Sequence, residues 1–261
     1  MNLRTSLSPL GFLLLTGCAS LENRMLETSA AKAGGLKIVR MNSAARECRE
    51  CLKRLAVLPT RIRVHTDLDE SMPLQQWMTL LPPITTNLCE AAASALASHG
   101  YRLTSKPIPL LIQEDWRQFD PDTARALVDL DDEYRKLLGK IYEQRDTPEG
   151  KQLTGYRIGT RLNDLVPTLV SPDAQTVLFM DSKIVLESPK GKTTRVWTED
   201  IYYMLATGGP TRVVHHAALV NVRTREVLWW ASKIYHRTDA RNQQAVAATV
   251  EDFFSDMPPA R

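Results

Sequence analysis

Residues 213–236 read VVHHAALVNVRTREVLWWASKIYH. Val213 to Val222 and Glu226 to His236 are two runs rich in β-branched and aromatic residues, and Arg223-Thr224-Arg225 is a short polar break between them. Runs of that length and composition, joined so tightly, predict two antiparallel strands. The same signal extends upstream. Thr176 to Glu187 and Thr194 to Leu205 are also strand-like, and Ser188-Pro189-Lys190-Gly191 and Gly208-Gly209-Pro210 supply turns between the runs. The final third is therefore expected to be a β-meander of four strands.

Towards the N-terminus the pattern becomes mixed. Residues 52–66, LKRLAVLPTRIRVHT, read as the first strand, with Leu55, Val57, Ile62 and Val64 alternating with polar neighbours. Pro59 interrupts it and is expected to force a bulge or an edge position, because proline cannot donate to the ladder. A helix is expected over residues 82–99, with Pro82 or Pro83 in its first turn and Gly100 after its end. Ile84, Leu88, Ala92, Ala95 and Leu96 form its apolar stripe. Tyr101 to Leu103 and Ile108 to Ile112 suggest a second strand interrupted by prolines.

Asp120-Pro121 is a capping residue followed by proline at the first helical position, so the next helix is expected from there to about Gln144. Residues 145–155 read as a loop. Residues 156–170 read as a further helix burying Ile158, Leu162, Leu165 and Leu169. A last helix at about 240–255 carries Val246, Val250, Phe253 and Phe254, and the tail Met257 to Arg261 is expected to be loose. Helices and strands mixed in this way predict an α+β fold: a mainly antiparallel sheet with a C-terminal meander, and helices packed on one face. No linker divides residues 37–261, which read as one domain with a helical insertion near 115–170.

Composition narrows the function classes. Of 261 residues, 43% are apolar and 24% charged, which is ordinary for a folded protein and excludes a wholly disordered chain. Lys plus Arg number 33 against 30 for Asp plus Glu, a formal charge of +3. So small an excess gives no support to a nucleic-acid binder. Four cysteines are too few for a scaffold built on disulfides.

Residues 1–17, MNLRTSLSPLGFLLLTG, combine Arg4, no acidic residue and the apolar run Leu10 to Leu15. A bilayer span needs about 20 apolar residues, so this segment is too short to be one and reads as a secretory signal peptide. Leu15-Thr16-Gly17-Cys18 resembles the bacterial lipobox. That resemblance implies a diacylglycerol on the Cys18 sulfur, cleavage before Cys18 and N-acylation of the new amine. A thiolate is the nucleophile that takes the lipid. Acyl chains contribute about 0.8 kcal/mol per buried CH2, and two or more give stable anchoring. The inner-membrane retention signal of such lipoproteins is Asp after the cysteine. Ala19 and Ser20 stand here, so the resemblance implies the outer membrane, with the body facing the periplasm. Residues 18–36 end in Gly34-Gly35-Leu36 and read as the lipidated tether.

Lys53-Arg-Leu-Ala-Val-Leu-Pro59, the helix ending in His99-Gly-Tyr101, and the strands Ala217 to Val222 and Glu226 to Ala231 together resemble a family. It is the envelope lipoproteins similar to the curli secretion lipoprotein CsgG and the penicillin-binding-protein activator LpoB. The resemblance implies a small sheet with helices packed on it. It transfers no functional residue except the lipidated Cys18.

Candidate chemistry is sparse. Cys48-Arg-Glu-Cys51 is a C-x-x-C pair, but it precedes the first strand instead of following one at a helix start, and no second pair completes a zinc site. Structural thiols, or a disulfide from Cys48 or Cys51 to Cys89, fit an oxidising periplasm. His215 and His216 are strand neighbours, so they point to opposite faces and do not share a metal. Asp129, Asp131, Asp132 and Glu133 have no glycine bend between them and read as a solvated helix face, not a calcium loop. H-E-x-x-H, G-x-S-x-G, P-loop and G-x-G-x-x-G motifs are absent from the sequence, while a Ser/His/Asp arrangement assembled by the fold stays open. Aromatics gather in the meander, and Trp229 and Trp230 face opposite ways, so one of them is expected on a less buried side as a partner surface.

These readings lead to the expectation of a non-catalytic accessory or scaffold lipoprotein of the outer membrane, facing the periplasm and binding another envelope protein. It would carry no metal, no cofactor and no nucleic acid, only the covalent lipid on Cys18. Two other readings stay open: an oligomeric secretion-channel lipoprotein and a lipid-anchored envelope hydrolase.

Overall fold

In the computed structural model, Arg212–Asn221 and Val227–His236 form the expected antiparallel hairpin, with Ala217 opposite Ala231. The structure describes residues 37–47, 52–66, 74–105, 107–110, 118–165, 169–186, 212–236 and 238–260. The signal peptide, the tether and the expected strand Thr194 to Leu205 lie outside them.

The described elements begin with β1 (Lys37–Met41), α1 (Ser43–Glu47), β2 (Arg54–Val57), β3 (Thr60–Thr66) and α2 (Leu74–Ser98). Next come β4 (Arg102–Leu103), β5 (Pro109–Leu110), α3 (Pro121–Glu143), α4 (Pro148–Gln152) and α5 (Arg161–Leu165). The chain closes with β6 (Thr176–Leu186), β7 (Arg212–Asn221), β8 (Val227–His236) and α6 (Gln243–Phe254).

All eight strands join one sheet in the order β1-β8-β7-β6-β2-β4, with β3 against β6 and β5 against β3. The fold is α+β. The sheet is mixed, not mainly antiparallel: β1, β8, β7 and β6 pair antiparallel, whereas β2 and β3 run parallel to β6. Parallel neighbours need crossover connections. One crossover leaves β3, passes through α2 and returns to β4, which lies parallel to β2. The next passes through α3, α4 and α5 before entering β6.

These two crossovers cover opposite faces. On the first face Leu178, Met180, Leu219 and Trp229 pack with Leu88 and Leu96 of α2 and Phe253 and Phe254 of α6. On the second, Val177, Phe179, Val220 and Trp230 pack with Leu127, Leu130 and Ile141 of α3 and Leu162 of α5. The expectation of helices on one face is therefore corrected. β6 is buried almost along its whole length instead of alternating with solvent, which is how a strand covered on both sides reads. From the stretch expected as a helical insertion, α3 and α5 sit on this second face.

Local signals place the boundaries. Asp120 caps α3 by accepting from the Asp122 and Thr123 amides, with Pro121 at the first turn, as expected. Gly100, at φ 90°, ends α2 in the left-handed region that glycine adopts without strain. However, α2 starts at Leu74, ahead of Pro82 and Pro83, which lie inside it. Among the described residues of 156–170, the helix present is the short α5. Around Tyr156 the chain is extended instead, with Arg157 bridging to Glu226 and Tyr156 accepting from the Val227 amide at 3.0 Å.

Two bulges set the register. Val57 pairs with Leu178 and Arg61 with Asp181, so the chain around Pro59 carries one residue more than β6 does. In the hairpin, Leu219 faces Trp229 and Val220 faces Val227, which leaves Leu228 extra. Leu228 and Trp229 consequently both enter the first core, and Trp230 enters the second. The tail expected to be loose is packed. The Tyr101 hydroxyl donates to the Pro258 carbonyl, the Ala260 amide donates to His99 O at 3.1 Å, and Met257 and Ala260 are buried.

Candidate functional site

The β6–β7 register places two polar pairs side by side: Ser182 opposite His215 and Asp181 opposite His216. Consecutive strand residues alternate in direction, so the two pairs lie on opposite faces of the sheet.

On the first face Ser182 Oγ and His215 Nδ1 share a hydrogen bond of 2.9 Å. The His215 ring lies 5.3 Å from the Phe253 ring and 5.7 Å from that of Tyr235. Burial pushes His215 down to about 3, with the neighbouring His216 adding to the effect, so its imidazole is neutral at physiological pH. A serine beside a neutral histidine is half of a nucleophilic arrangement. Here both side chains are 0% exposed, and the nearby Asp181 belongs to the other face. No substrate reaches the pair as it stands, and the bond is a core contact.

On the second face the charges come from three elements. Arg63 of β3 donates to Asp181 Oδ2 at 2.7 Å. Arg61, two residues earlier on the same face of β3, donates to Asp131 Oδ2 of α3 at 2.7 Å, and Arg135 donates to the same oxygen at 2.7 Å. Burial raises the Asp131 carboxyl, and the Arg61 charge opposes that shift. Tyr134, one turn on from Asp131, stacks on Phe179 with ring centroids 4.9 Å apart. Burial raises its hydroxyl well above the usual tyrosine range. His216 is lowered to about 4 by burial. A cavity of about 40 Å³ lies between these groups, with Arg61, Asp131, Tyr134 and Asp181 in its wall.

The acidic run thus divides. It lies on a helix, as expected, and Asp132 is exposed, but Asp131 turns inward to Arg61 and Asp129 pairs with Arg161 at 3.3 Å. Sequence reading missed the role of Arg61, Arg63 and Asp181. Its one local signal was Arg-x-Arg within a strand, which places both guanidiniums on one face.

The other candidates are dispersed. Cys18, Cys48 and Cys51 lie outside the described residues. Cys89 is a free thiol in the first core, 7% exposed, and burial pushes it up to about 12, with the Glu90 charge adding to the shift. Trp229 and Trp230 do face opposite ways, but the partner surface expected from them is corrected: both are 0% exposed. Helices cover both faces of the sheet where these two side chains lie. Trp229 packs against Phe253 and Phe254, and Trp230 meets Tyr142 edge-on at 5.0 Å. Among the described residues, no cluster of His, Cys, Asp or Glu is arranged to hold a metal ion, and no helix is long and apolar enough to cross a membrane.

No protein-family model and no curated protein matches this sequence. Among solved structures, the chain is similar to the PelC dodecamer from Paraburkholderia phytofirmans at 12% identity, covering 86% of this chain and 98% of that one, with a TM-score of 0.33. It is also similar to the lipoprotein GNA1162 from Neisseria meningitidis at 13% identity, covering 78% of this chain and 98% of that one, with a TM-score of 0.28.

Proposed function

We propose that this chain is an outer-membrane lipoprotein, anchored by lipid on Cys18, whose α+β body faces the periplasm as a non-catalytic accessory or scaffold of an envelope assembly or transport complex. The observation that carries the reading is Leu15-Thr16-Gly17-Cys18, directly after a short apolar run and ahead of the body that begins at β1. A lipid anchor confines the body to one membrane surface and raises its effective concentration for partners there. The non-catalytic part is supported by the inaccessible Ser182–His215 pair and by the mutual neutralisation of Arg61, Arg63, Asp131 and Asp181. Partner contact falls to the outer surfaces of the helices and loops, where Ile108 and Val128 are the large apolar side chains exposed among the described residues.

Metabolic labelling with radioactive palmitate tests the anchor. The wild-type chain is expected to take up label and to fractionate with the outer membrane, and Cys18→Ala to lose both properties. Label retained by Cys18→Ala, or a wild-type chain recovered unlabelled, would overturn the proposal. The native mass of the detergent-extracted protein separates the roles. A complex with a second protein supports the accessory role, whereas a large homomeric ring replaces it with the channel reading.

A further inference from the structure

The cavity under α3 contains two polar atoms whose hydrogen-bonding needs the fold leaves open. Tyr134 Oη and Asp181 Oδ1 are both shut off from solvent, and no described residue pairs with either. The second carboxylate oxygen of Asp181 is taken by Arg63 at 2.7 Å, so Oδ1 is the oxygen left over. Tyr134 is 4% exposed and its ring stacks on Phe179. Leaving a buried donor and a buried acceptor unmade is costly, and native interiors rarely do so.

The wall around these atoms fixes what can satisfy them. Both residues line the same cavity, whose volume is about 40 Å³. A water needs roughly 10–15 Å³ of such space and two to four polar partners. The cavity therefore has room for water at these atoms. Burial keeps the Tyr134 hydroxyl protonated, so it donates, while the Asp181 oxygen accepts. Two groups of opposite hydrogen-bonding character need a molecule that both accepts and donates.

We propose that this cavity is a structural hydration site, in which an ordered water accepts from Tyr134 Oη and donates to Asp181 Oδ1. The water extends the Arg63–Asp181 ion pair of the sheet to α3 and, with Arg61–Asp131, closes a polar clamp between β3, β6 and α3.

Urea unfolding of the full chain and its Tyr134→Phe variant reads the proposal through the sign of the change. If a water satisfies the hydroxyl, removing it loses a net hydrogen bond, and the unfolding constant rises about threefold to tenfold. If the hydroxyl is an unmet donor in a dry cavity, removing it relieves a penalty. An unchanged or lower unfolding constant therefore overturns the site. Where the variant fails to fold, a high-resolution crystal structure of the wild-type protein decides. Density for a water within about 3.2 Å of both oxygens supports the site, and a cavity without density there overturns it.

Discussion

Ser182 Oγ lies 2.9 Å from His215 Nδ1 in the first core, while His216, the next residue, is half-buried opposite Asp181 on the second face. Two consecutive histidines thus sit in two different environments, both at pKa values well below that of an exposed imidazole. This couples stability to acidity. Below about pH 6.5 the unfolded chain protonates both imidazoles while the folded chain does not, until about pH 4 for His216 and about 3 for His215. Stability therefore falls as pH falls through that window, with a slope approaching about 1.4 kcal/mol per pH unit for each histidine. The raised Asp131 carboxyl acts in the opposite sense. Urea unfolding midpoints at pH 7, 6 and 5 should drop steadily, and a flat profile would show that the histidines are not buried as neutral groups.

The C-terminal segment is expected to act as part of the core. Met257 is 2% exposed, and the backbone that follows it is tied through Tyr101 and His99 to the segment just after α2. Met257→Ala should cost about 2–5 kcal/mol, as other large-to-small core changes do. Deletion of residues 256–261 should cost at least as much. Thermal or urea unfolding checks both, and a truncated chain as stable as the parent would contradict the packing.

Two glycines should respond differently to the same methyl group. At Gly150 an added Cβ would meet the Gln144 carbonyl oxygen at 1.8 Å, a backbone atom that cannot step aside. At Gly159 it would meet the Glu133 carboxylate at 2.2 Å, the far end of a flexible side chain. Gly150→Ala is expected to destabilise by about 1–3 kcal/mol, the ordinary range for overpacking, and Gly159→Ala by clearly less. Equal losses in chemical unfolding would mean that the α4 turn yields more easily than this geometry allows.

Cys89 should be inert in the folded protein. The thiolate is the reactive form, and burial holds Cys89 as the thiol with a pKa of about 12. Iodoacetamide at pH 8 should leave Cys89 unmodified in buffer and label it in urea, with peptide mass spectrometry locating the adduct. Labelling in buffer at the rate of an exposed thiol would place Cys89 outside the core. Failure to label in urea without reductant, reversed by reductant, would reveal the disulfide to Cys48 or Cys51.

What the sequence determined by itself was local. Asp120-Pro121 caps and starts α3 because a carboxylate one residue ahead of a helix reaches its first free amides. Arg223 to Arg225 turn the hairpin, with the Asn221 side chain accepting from the Arg223 and Thr224 amides. Alternation alone sends Trp229 and Trp230 to opposite faces and likewise separates His215 from His216. Each of these rests on chemistry within a few residues.

Only the tertiary structure decided what lies against those faces. The parallel pairing of β2 and β3 with β6 joins segments far apart in the chain and commits the connections to crossovers on both sides. That covering is what buries both tryptophans and removes the aromatic surface their alternation had suggested. The Arg61–Asp131 pair spans 70 residues and Arg63–Asp181 spans 118. Nothing local distinguishes these charges from solvated ones, because a charge is withdrawn from water only when another element arrives to cover it. The same holds for Met257 and Ala260, whose short, proline-rich segment reads as a loose end until α2 and Tyr101 provide the surface it packs on.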